Sequence, residues 1–260
     1  VIAGWWRRRR DERLLRRRAI PEALWQATLS RYPFIAQRDG AQLERLRALA
    51  TLFLDRKEFT VVGGLELTDE IAVAIAAQAC LPVLELGLSA YDGFVGIVVH
   101  PDEVVARREV TDEDGVVHRY DEVLSGEAME GGPVMLSWHD VASAGSSAAT
   151  GYNVVIHEFV HVLDMHDGIV DGMPPLPDAR SRRHWRVVMQ AAFERLRRSL
   201  DAGETSFLDP YGAESIEEFF PVAAEAFFVA PDALRGEQPA LYELFVGYFR
   251  QDPSAPPDPT

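Results

Sequence analysis

The segment Asn153-Val-Val-Ile-His-Glu-Phe-Val-His-Val-Leu-Asp164 constrains this chain more than any other stretch. It is apolar except for two histidines, one glutamate and its polar ends, and residues 152–164 read as a buried helix. Unpaired polar groups are costly inside a protein, so His157, Glu158 and His161 need a reason to be there. Positions i and i+4 share one helix face, so the two imidazoles can reach a single metal ion. Glu158 is offset from them by about a quarter turn. There it can take a proton from water without occupying the metal. His-Glu-x-x-His on a helix is the pattern of a zinc hydrolase.

A catalytic zinc takes three protein ligands and keeps one position open. Two residues are candidates for the third ligand. Asp167 follows His157 by ten residues. That spacing needs a glycine turn which this chain lacks, since Asp164 stands at the turn position and Gly168 comes too late. Glu218 lies in a second apolar, aromatic-rich helix over residues 215–229 that contains Pro221. A second helix can oppose the first, and Glu218 is preferred on that ground. Asp164 and Glu225 both fall on the metal-facing sides of their helices and are rival acceptors for the far nitrogen of a histidine. His100, His118, His139 and His184 read as ordinary histidines, and His166 and Asp167 as part of a turn.

Around these segments the pattern runs helices, strands, helices. Residues 20–31 and 41–57 read as amphipathic helices. Residues 59–62 read as a short strand, and 68–78 as a helix capped by Thr68. Residues 94–100, 104–110, 116–120 and 134–138 read as strands, with Asp112-Glu-Asp-Gly115 as a hairpin turn. Gly145 to Gly151 reads as a small-residue linker. Residues 182–200 and 238–249 read as helices. Such an order predicts an α+β fold.

From here the chain resembles the Mlc titration factor A family of bacterial zinc metallopeptidases. These are relatives of the gluzincins, with a catalytic domain similar to that of anthrax lethal factor. The resemblance rests on Leu136-Ser-Trp138, on His157-Glu-Phe-Val-His161-Val-Leu-Asp-Met-His-Asp-Gly168, and on Tyr211 seven residues before Glu218-Phe-Phe, with Ala-Glu225-Ala-Phe-Phe beyond. It implies a zincin-like fold: a small, mostly antiparallel sheet, with the active-site helix packed on C-terminal helices. It implies one Zn2+ held by His157, His161 and Glu218, with Glu158 as catalytic base and Tyr211 steadying the tetrahedral intermediate. It also implies aminopeptidase-like cleavage of short peptides and binding of a repressor of the Mlc type. The rival is a regulatory binding protein with a secondary zinc site. Asp140 and the strand at 134–138 are the expected edge for a peptide substrate, by strand addition.

Charge and composition narrow the rest. The formal net charge is −15, so direct nucleic-acid binding is not expected. Residues 1–18 nonetheless carry eight arginines and two acids, a local +6, which leaves −21 for the remainder. They read as a basic arm, residues 19–250 as one domain (parts 19–130 and 131–250), and 251–260 as a disordered tail. Cys80 is the only cysteine, so no intrachain disulfide forms. Its apolar setting reads as that of a buried structural thiol. No apolar run reaches the roughly 18–20 residues of a membrane span. The N-terminus lacks the apolar core of a signal peptide, and a cytoplasmic protein is expected.

Overall fold

The computed structural model describes residues 2–111, 117–129 and 131–255 and has the α+β architecture expected. Four helices come first: α1 (Ile2–Arg18), α2 (Glu22–Arg31), α3 (Pro33–Ala36) and α4 (Gly40–Arg56). The start of α4 is fixed by a capping box. Asp39 accepts from the Gln42 N–H at 2.7 Å, and the Gln42 side chain accepts from the Asp39 N–H at 3.2 Å. The basic arm is α1 itself, tied to α4 by Arg10–Asp55 at 3.3 Å and Arg56–Asp11 at 2.9 Å. Water-facing pairs of this kind contribute at most about 1 kcal/mol each.

Next come β1 (Glu58–Val61) and α5 (Asp69–Cys80), the latter capped by the Thr68 hydroxyl, which accepts from the Ile71 N–H. The remaining strands are β2 (Gly96–His100), β3 (Val104–Thr111), β4 (Val117–Leu124), β5 (Gly126–Ala128) and β6 (Val134–Ser137). β3 and β4 pair antiparallel as a separate ladder. The expected turn at 112–115 lies outside the described residues. The other four strands form one sheet in the order β1-β2-β6-β5.

Strand direction departs from the mostly antiparallel expectation. β1 with β2 and β2 with β6 are parallel, and only β5 with β6 is antiparallel. The cause is connectivity. α5 lies between β1 and β2, and a helical crossover returns the chain to the end it left. The excursion through β3, β4 and β5 does the same between β2 and β6. β6 is also not an edge. It sits between β2 and β5 with Val134 and Leu136 buried, and Asp140 belongs to the helix that follows. On that side of the sheet β5 is the last strand among the described residues.

That following helix, α6 (Trp138–Ser147), takes in the first three residues of the expected linker, and Ser137 caps it by accepting from the Asp140 N–H. Its small residues serve packing: a Cβ on Gly145 would stand 2.0 Å from the Arg31 carbonyl oxygen at the end of α2. α7 (Val154–Asp164), α8 (Ala179–Asp201), α9 (Ile216–Val229), α10 (Pro231–Glu237) and α11 (Pro239–Phe249) complete the chain.

α7 is the central element, packed against β5, α5 and α9. Phe159 on its inner face meets Tyr91, Phe94 and Phe53 with ring centroids 5.1, 5.5 and 5.6 Å away. α9 continues through Pro221, and its neighbour Phe220 stands edge-on to Trp185 at 5.1 Å. Cys80 is fully buried, and burial pushes its thiol pKa up, as befits an inert structural thiol. The first tail residues are docked rather than loose. Gln251 is buried and donates to the Leu81 carbonyl at 2.9 Å, and the Ser254 N–H donates to the Tyr242 hydroxyl at 3.0 Å. Residues 256–260 lie outside the described residues. No described helix is long and apolar enough to cross a membrane.

Candidate metal centre

α7 begins where the chain supplies a cap. The Asn153 side-chain oxygen accepts from the Ile156 N–H at 2.9 Å, and its amide donates to Gln78 Oε1 on α5 at 2.8 Å. This fixes the first turn of a helix whose exposed surface is nearly nil, and with it the direction of His157 and His161. α9 begins the same way, with the Ser215 hydroxyl accepting from the Glu218 N–H at 3.2 Å. The two caps bring Glu218, in the first turn of α9, opposite both histidines.

Glu218 Oε2 lies 3.2 Å from His157 Nε2 and 3.2 Å from His161 Nε2. One ligand atom from each residue falls within 4.8 Å of the others, so the three could hold a metal ion. Two imidazoles and one carboxylate suit a divalent metal of the zinc type. Glu217, its neighbour in sequence, and Asp167 do not join the group. Asp167 lies in an exposed turn after α7, where its carboxylate accepts from the Ile169 N–H.

The rivalry between Glu225 and Asp164 resolves clearly. Glu225, two turns after Glu218 on α9, is 2% exposed, and its Oε1 lies 2.7 Å from His157 Nδ1. Its other oxygen accepts from the Asn153 backbone N–H. The carboxylate therefore fixes the ring of His157 and the start of α7 together, leaving Nε2 to face Glu218. Burial works against a charged His157. The Glu225 charge and the bonds to Glu218 and Glu225 outweigh it, and the imidazole pKa is raised. Burial also opposes ionisation of Glu218, but the bonds from both histidines hold its carboxyl well below the usual carboxylate range.

Glu225→Ala should weaken metal binding by about 10–100-fold, the usual cost of losing such an outer partner. A competition titration with a chromogenic chelator measures it directly.

Asp164 does other work. Fully buried, it accepts from the Gly172 and Met173 N–H groups at 2.9 and 2.8 Å and hydrogen-bonds to no histidine among the described residues. It clamps the loop that follows α7. Burial lifts its pKa to about 6, against the two amide bonds. Removing it orphans the buried Gly172 N–H, while the Met173 N–H keeps Asp171 as an acceptor at 3.2 Å, and it also relieves that burial. Asp164→Ala should therefore cost about 1–3 kcal/mol and lower the melting temperature by about 3–8 °C. Metal stoichiometry in the same samples should not change.

Glu158 is 5% exposed, and its Oε2 has no hydrogen-bond partner among the described residues. Burial pushes its pKa up to about 7, partly countered by His157 and His161. A group poised there can both take and give a proton near neutrality. Tyr211 stands in a short 3-10 turn, Pro210–Ala213, where Asp209 accepts from its N–H at 2.9 Å. Its ring centroid is 6.0 Å from that of His157.

His157, Glu158, Asp209, Tyr211 and Glu225 line a pocket of about 250 Å³ together with Ser125, Gly126, Tyr152, Val154 and Val222. Among its residues, Tyr152, Asp209 and Gly126 escaped the sequence reading. No local pattern marks them, because they reach the pocket from other elements. A larger cavity, about 730 Å³, lies between α8 and α11 near Leu163 and shares no lining residue with this one. Size alone would favour it, but His157, its partner Glu225 and the Glu158 carboxylate line the smaller pocket.

The family profile described as "Glucose-regulated metallo-peptidase M90" matches residues 4–250. The chain belongs to this family. Among its relatives, "Mlc titration factor A" of Serratia proteamaculans is 38% identical over 236 residues, covering 90% of this chain and 88% of the relative. The protein of that name from Klebsiella pneumoniae is 35% identical over 236 residues, covering 90% and 88%. That from Salmonella arizonae is 36% identical over 234 residues, covering 89% and 92%. The M90 match spans all the elements that build the metal pocket, from β5 and α7 to α9.

Proposed function

We propose that this chain is a zinc-dependent peptidase that hydrolyses short peptides in an aminopeptidase-like manner, with His157, His161 and Glu218 as the metal ligands. The observation that carries this reading is the convergence of three ligand atoms within 4.8 Å beside a buried, unpaired Glu158. A purely structural zinc has no use for such a base. A bound zinc would supply Lewis acidity toward the scissile carbonyl and toward water.

The chain's own residues do the rest. Glu158 takes the proton of the attacking water and later delivers it to the leaving amine. The Tyr211 hydroxyl donates to the oxyanion that develops on the carbonyl. Glu225 keeps His157 in one ring orientation throughout. Val154 and Val222 give the pocket an apolar wall for a substrate side chain.

The test is metal removal and return. Chelator-stripped protein should be inactive on fluorogenic short peptides and regain turnover with about one zinc per chain. Peptides with a free amino end should be cut better than their acetylated forms. No turnover on either set after zinc is restored would reject the peptidase reading.

A second reading comes from the relatives' printed name. "Mlc titration factor A" implies, for those proteins, an interaction with the repressor Mlc. By extension this chain would bind a transcriptional repressor of that type in the cytoplasm. Co-purification with such a repressor that survives Glu158→Gln would support it. Absence of any complex at micromolar concentrations would count against it.

A further inference from the structure

Gly126 opens β5, the last strand of the sheet among the described residues, beside α7. It is not among the glycines with positive φ, so its backbone conformation does not call for glycine. The space around it does. A Cβ at Gly126 would lie 2.5 Å from Glu158 Oε1, 2.7 Å from Glu158 Cγ and 2.8 Å from Glu158 Cδ. Real β-carbons do not come that close to other heavy atoms. Other tight glycines, such as Gly145 and Gly172, press on backbone carbonyls, whereas Gly126 presses on an acidic side chain. That carboxylate is buried, and its second oxygen has no hydrogen-bond partner among the described residues. On the Oε1 side its place is set by packing against β5.

We propose that Gly126 is a positioning residue: the volume left by its missing side chain seats the Glu158 carboxylate beside the metal donors. A β-carbon at 126 would push that carboxylate aside, since its three nearest neighbours are all atoms of Glu158. The catalytic half of this inference rests on the peptidase reading above; the steric half does not.

The test compares four zinc-loaded proteins: wild type, Gly126→Ala, Glu158→Ala and the double variant. Gly126→Ala should lower the melting temperature by about 3–8 °C in the wild-type background, as overpacking does. In the Glu158→Ala background, where the clashing atoms are gone, the same change should shift it by less than about 1 °C. An equal loss in both backgrounds would overturn the proposal.

Gly126→Ala should also keep its zinc and its KM within about threefold, while kcat falls about 100-fold, the usual effect of an ångström-scale misplacement. A merely structural defect would move zinc content and KM as well. An unchanged kcat would overturn the positioning role. Should wild type itself show no turnover, the peptidase reading fails, and the melting cycle still decides whether Gly126 seats Glu158.

Discussion

Glu158→Gln is expected to retain its metal and to lose about 100- to 10,000-fold in kcat, the range attached to removing a general base. The substitution keeps the side chain's length and nearly its shape. It therefore remains seated against β5, where Gly126 leaves room for it. What it loses is the ability to hold a proton. In the wild-type chain burial lifts Glu158 to about 7 while the two histidines pull it down, which suits a group that must accept a proton and return it. Glu158 is not a member of the His157–His161–Glu218 group, so metal affinity should change by less than about threefold. KM should change little. Stopped assays on free-amine peptides, beside metal analysis of the same samples, measure both quantities.

Glu218→Ala is expected to lose the metal and, with it, all measurable turnover. Its Oε2 is the only carboxylate oxygen within reach of both Nε2 atoms among the described residues. Two imidazoles alone make a poor site, and affinity should fall by more than the roughly 100-fold that outer partners cost. The fold should survive. Glu218 is only partly buried, and the α9 cap is made by its backbone N–H with Ser215 rather than by its side chain. His157 keeps Glu225 behind it. Unchanged circular dichroism with lost zinc separates removal of a ligand from unfolding. Zinc binding within threefold of wild type would exclude Glu218 as a ligand.

Much of this centre was legible in the sequence, because its parts are local and periodic. His157, Glu158 and His161 stand on one apolar helix, and the spacing alone puts the imidazoles on one face. Glu218 could be reached because its helix is apolar on nearly all sides, which requires burial against something. The choice between Asp164 and Glu225 was not legible. Both lie on inward faces, and only the packing of α9 on α7 shows that Glu225 meets His157. Asp164 is taken by two amides of a loop that closes at Gly172, a contact across eight and nine residues with no periodic signature.

Strand direction was hidden for a similar reason. β1, β2 and β6 are short runs of four or five residues that look alike whether paired parallel or antiparallel. Their order depends on α5 and on the β3–β5 excursion. Helix α6 escaped because Ser, Gly and Ala are read as linker residues. Here they are small because α6 crosses the end of α2 too closely for anything larger at Gly145. Gly126 carried no local signal at all, since the group that demands it lies on another element, 32 positions away by the difference of 158 and 126.

One metal ion is expected between α7 and α9. Anomalous diffraction at the zinc edge from zinc-loaded crystals tests it most directly. The expected result is one strong peak per chain, about 2.0–2.2 Å from His157 Nε2, His161 Nε2 and a Glu218 carboxylate oxygen. A peak at other residues, or none at this position in protein that retains its zinc, would contradict the account.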